Sequence, residues 1–88
     1  MTPSERDASV EAIKDALGWL GALVAYPAHK KRLDTRIEEI AERPGLPEEI
    51  RVAIRSASQA ELAAISKKLK ELRETRDGLM AQQIPGGE

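Results

Sequence analysis

Val10, Ile13, Leu17, Leu20 and Val24 follow one another at alternating spacings of three and four, the period of an amphipathic helix. Ahead of them, Thr2-Pro3-Ser4-Glu5 reads as an N-cap, a proline at the first helical position and a glutamate at the third. Pro27 ends or kinks this helix, because its ring blocks the bond to the carbonyl four residues back. The helical pattern resumes with Leu33, Ile37 and Ile40 and stops at Arg43-Pro44-Gly45. Pro47-Glu48-Glu49 opens a short third helix, its two acids suited to the positive end of the dipole, with Ile50 and Ile54 on the buried side.

Ser58-Gln59-Ala60-Glu61 reads as a capping box that starts a fourth helix. There, Leu62, Ile65, Leu69, Leu72 and Leu79 form a heptad-like seam interrupted by Arg76. The expected helices span about 3–26, 28–43, 47–56 and 59–83, in a single domain over 1–84, with 85–88 a flexible tail. No stretch alternates usefully with a period of two. The class is all-α, a small bundle of three to four helices with a coiled-coil-like C-terminal helix.

Within the first helix the pattern is doubled. Residues 16–28 carry no charge and hold the only Trp and the only Tyr of a chain that has no Phe. At about 100° per residue, Trp19, Leu23 and Tyr26, with Ala12 and Ala16 behind them, lie on roughly the opposite face from the aliphatic stripe. Glu11, Lys14 and Asp15 lie between the stripes, a strip that continues as Gly18, Ala22 and Ala25. A bundle helix needs one apolar stripe. The expectation is that the aliphatic stripe packs within the chain, while Trp19, Leu23 and Tyr26 anchor a protein interface, where aromatic residues are enriched. The competing reading makes both stripes core, with helices packed on either side.

Composition limits what such a chain can do. Its 88 residues include 22 large apolar side chains beyond Met1, enough for a thin core and too few for a deep active-site cavity. The absence of Cys rules out disulfides and thiolate chemistry and fits a reducing compartment, so a cytoplasmic location is expected. Fourteen basic and fifteen acidic residues give a net charge of −1, which argues against a dedicated nucleic-acid binder. The apolar run is shorter than the ~20 residues of a spanning helix, and the polar N-terminus does not read as a signal peptide.

One local charge run stands out. His29-Lys30-Lys31-Arg32, followed by Arg36, would crowd the positive dipole end of a helix that began at Ala28. Helical continuation through Pro27 would remove that strain. Otherwise Lys30, Lys31, Arg32 and Arg36 are expected to steer an acidic partner. In the last helix, Lys67–Glu71, Lys70–Glu74 and Arg73–Asp77 read as i,i+4 pairs on a solvated face.

Catalytic and ligand motifs fail on their own terms. His29 is the only imidazole and has no carboxylate at a helical neighbour position to orient it. Glu38, Glu39 and Glu42 lack both the loop of a calcium hand and a histidine partner for zinc. Residues 58–69 begin like a helix-turn-helix but run on without a turn. The expectation is therefore a non-enzyme with no cofactor and no metal site. It would be a protein-interaction module (adaptor, assembly factor or inhibitor), forming a homodimer or meeting a heterologous protein. A nucleic-acid-associated regulator using residues 29–36 is the alternative, and a peripheral membrane-surface protein the third.

Overall fold

Thr2 starts the first helix by a reciprocal exchange: its hydroxyl accepts from the Glu5 backbone N–H at 3.1 Å, and the Glu5 carboxylate accepts from the Thr2 N–H at 2.9 Å. The helix so capped is α1, Pro3–Ala25, in a computed structural model that describes residues 1–82. Hydrogen bonding from Thr2, led by its backbone, holds the Glu5 carboxyl below its ordinary pKa. Pro27 ends this helix: Tyr26 leaves helical geometry, and a single 3-10 turn spans Pro27–His29. Three more helices follow, α2 (Lys30–Ala41), α3 (Glu48–Gln59) and α4 (Leu62–Ala81). Between α2 and α3, Gly45 takes a φ of 84°, a backbone conformation open to glycine.

These elements form an all-α bundle with principal dimensions of 46 × 22 × 16 Å. The spans agree with those expected to within a few residues, while the expected end of α4 at 83 and the tail at 85–88 lie outside the described residues. Helix α1 is the hub: α2 and α4 make its most extensive contacts, and α3 closes against all three. The core joins Ile13, Leu20 and Leu23 of α1 to Ile37, Ile54 and Ile65 of the other helices. The buried hydroxyl of Ser9 donates to the Glu5 carbonyl at 2.7 Å, which satisfies it inside its own helix.

Two expectations about α1 need correcting. The buried line runs through Ser9, Ala12, Ile13, Ala16, Leu20 and Leu23, between the two stripes read from the sequence. Those stripes are only about 130° apart on the wheel, so they are the shoulders of one broad apolar arc. Its middle faces the core, and neighbours on both flanks cover much of the rest. Leu23 is wholly buried within the chain and cannot anchor an interface, whereas Val24, assigned to the core, is exposed.

The fourth helix also differs in detail. Ser58 belongs to α3 and donates to the Arg55 carbonyl at 3.1 Å, and α4 starts at Leu62, with Glu61 at its N-cap position making no side-chain cap. The expected capping box is absent because α3 runs on through Gln59. Ile65, Leu69, Leu72 and Leu79 are buried as the seam predicts, while Leu62, in the opening turn, stays exposed. None of the three expected i,i+4 pairs forms; Lys68–Glu71 and Arg76–Asp77 meet instead. Such exposed pairs are worth too little to dictate rotamers.

Candidate functional site

The surface of interest lies where α1 and α2 run side by side. Arg43, just beyond α2, donates to the Asp15 carboxylate at 2.8 Å. At the other end the rings of Tyr26 and His29 meet edge to face, with centroids 6.3 Å apart. The helices are therefore antiparallel, in a register with residue 43 beside residue 15. On α2, Leu33, Ile37 and Ile40 face the core. One flank of the helix, Lys30, Asp34 and Glu38, turns to α3. At about 100° per residue, Arg32 and Arg36 fall on the other flank together with Arg43, the side turned toward Asp15.

This arrangement splits the basic cluster. Lys30 is committed to the fold: it pairs with Asp34 and donates to the Ser58 carbonyl at 3.3 Å, one of the orphan acceptors in the last turn of α3. Arg36 has only an exposed 3.6 Å pair with Glu39. Lys31 and Arg32 make no ion pair among the described residues. Because α2 begins at Lys30 with no acid in its first turn and no side-chain cap, the unfavourable dipole arrangement is present. Pro27 enforces it by ending α1.

Trp19 and Tyr26 share the α1 flank that borders these arginines. The indole is 39% exposed and the phenol ring residue 62%. Outward of them, Gly18, Gly21 and Ala25 leave this half of the helix uncharged and bare, and a Cβ added at Gly18 or Gly21 would meet nothing within 4 Å. Of the three aromatic-side residues expected at an interface, then, two are at the surface and one is core. Of the four basic residues, Arg32 and Arg36 fall by helical spacing on the flank of α2 turned toward α1, Lys30 serves α3, and Lys31 falls on neither flank.

A second concavity, of about 640 Å³, lies between α2 and α3 and is lined mainly by Asp34, Glu38, Glu39, Glu42 and Ser58. Its acids are largely occupied. Arg55 bonds Glu38 at 2.8 Å and also Glu42, and bonding to Glu38 above all raises its guanidinium pKa further. Arg51 caps the C-terminus of α2, donating to the carbonyls of Ala41 at 2.7 Å and Arg43 at 3.1 Å. The sequence reading missed both arginines. The available signal was a pair of arginines four apart, Arg51 and Arg55, following acids four apart, Glu38 and Glu42.

Among the described residues there is no grouping of three or more His, Cys, Asp or Glu able to hold a metal ion, and no helix long and apolar enough to cross a membrane. Compared with known proteins, the chain matches no family model, no curated protein and no solved structure.

Proposed function

We propose that this chain is a small, non-catalytic protein-interaction module, acting stoichiometrically as an adaptor, assembly factor or inhibitor. Its docking surface is the outer flank of α1 from Gly18 to Tyr26, bordered by Arg32 and Arg36 of α2. One observation carries the reading. Both Trp19 and Tyr26 stand at the surface at the C-terminal end of α1, and Arg32 and Arg36, largely free of partners, fall on the flank of α2 turned toward that helix. Aromatic anchors bordered by arginine have the composition of an interface centre. The cytoplasm suits a chain without Cys.

The experiment is site-specific photocrosslinking of the full chain in the cell that expresses it. A photoreactive residue at position 26 should form protein adducts, and one at Thr75, on the exposed side of α4, should not. Equal labelling from both positions, or none from 26, overturns the reading. Adducts to nucleic acid in place of protein would transfer the surface to the basic-cluster alternative.

A further inference from the structure

We infer that one end of the bundle, formed by residues 26–31 and the first turns of α4, rests on an anionic lipid surface with the long axis of the molecule upright. This contact lies beyond the docking flank and does not depend on it. It follows from how the four helices line up. Arg6 donates to the Gln82 carbonyl at 3.2 Å, so α1 and α4 run antiparallel. Twenty residues along each helix from that contact, Tyr26 comes level with Leu62. The Asp15–Arg43 and Lys30–Ser58 contacts bring the start of α2 and the end of α3 to the same end.

Charge is sorted along this axis. At the level of Gly18, set by the Asp15–Arg43, Glu38–Arg55 and Arg6–Gln82 contacts, the molecule divides into two halves. Residues 18–40 and 53–70 carry eight bases and four acids. The other described half carries six bases, Lys14 among them, and ten acids. In the basic half Asp34 pairs with Lys30, Glu38 with Arg55 and Glu39 with Arg36. Among the described residues that half leaves Lys31, Arg32, Lys67 and Lys70 without an ion pair, against the single acid Glu61.

Apolar side chains protrude at the same end. Val24 is 40% exposed, Tyr26 62% and Leu62 46%. Met80, exposed at the opposite end, sits instead beside Asp7 and Glu11. Aliphatic and aromatic tips ringed by bases suit the headgroup region of an anionic bilayer. The bilayer takes up the tips, and its diffuse charge attracts every base within a Debye length. The free bases stand on both flanks of α1, on α2 and on α4. A broad surface collects both sets, whereas an acidic helix would meet one flank at a time. Nucleic acid would reward the bases and leave Val24 and Leu62 in water.

Flotation of the full chain with phosphatidylcholine vesicles, with and without phosphatidylserine, tests this. Partition should favour the phosphatidylserine vesicles roughly ten-fold or more, and added salt should weaken it. Each base at such a surface is worth roughly a five-fold factor, so Lys31→Gln combined with Lys67→Gln should lower partition about 25-fold. Leu62→Asp should lower it roughly ten-fold with helicity intact, because an acid suits the first turn of a helix. Arg76→Gln, at the opposite end, should leave it unchanged. No preference for phosphatidylserine vesicles overturns the inference, as does a Leu62→Asp chain that binds like the wild type. Retention on duplex DNA without partition to vesicles overturns it in favour of nucleic acid. Lys31, Leu62 and Lys67 lie off the Trp19 flank, so a chain that ignores vesicles yet crosslinks to protein through position 26 loses this inference alone.

Discussion

Replacing Leu23, Trp19 and Tyr26 in turn by alanine separates core from surface on a single helix. Leu23 has no exposed surface and packs in the main core, so Leu23→Ala should cost about 2–5 kcal/mol through lost burial and the cavity left behind. At roughly 0.05–0.15 kcal/mol per residue, 88 residues hold a total near 4–13 kcal/mol, so the change removes a large share of it. In a domain of this size each kcal/mol corresponds to about 4–8 °C in Tm, which makes the smallest expected drop about 8 °C. Trp19 is 39% exposed and outside the core cluster, so Trp19→Ala should cost under about 1.5 kcal/mol. Tyr26, past the last turn of α1, should change stability by no more than about 0.5 kcal/mol. Urea denaturation followed by circular dichroism measures all three, at a dilution where the chain is monomeric so that association adds nothing. A Trp19→Ala loss equal to that of Leu23→Ala would refute the division, because the indole would then belong to the core.

Lys31→Glu places an acid in the first turn of α2, which now holds only bases; thermal denaturation should show a gain of about 0.3–1 kcal/mol. A loss would mean that Lys31 serves the fold in a way the dipole argument misses. Arg51→Met leaves the Ala41 and Arg43 carbonyls without their donor and should destabilise the chain by about 1–3 kcal/mol, read by urea titration. Thr2→Ala should lower Tm at neutral pH by removing the N-cap of α1. Since folding lowers the Glu5 pKa, its contribution is present above the ordinary carboxyl value of 4.5 and fades as pH falls through the depressed folded value. The Tm gap between Glu5→Gln and wild type should therefore narrow in acid, and a gap independent of pH would argue against the Thr2–Glu5 exchange.

Helical periodicity carried much of the architecture because strong local signals agreed with it. Thr2-Pro3-Ser4-Glu5, the break at Pro44-Gly45 and the Ile and Leu spacings each act within a few residues, and the elements follow them. Two kinds of information were out of reach. The direction of the core on α1 depends on neighbours at both flanks, so one broad apolar arc reads as two stripes, and Leu23, on the inner edge of the aromatic one, is core. The roles of the bases depend on tertiary register: Lys30 turns to α3 and Arg32 to α1 although they are two residues apart. Ser58 failed for a related reason. A capping sequence competes with continuation of the preceding helix, and here Ala57 and Ser58 are buried in α3, which favours continuation.

The most direct test of the central claim, that the Trp19 flank of α1 is a protein-docking surface, is photocrosslinking of the full chain from position 19 and from position 75 in the cell that expresses it. The account predicts protein adducts from position 19, a second copy of the chain counting among them, and none from position 75. Equal labelling from the two positions, or no protein adduct from position 19, contradicts it.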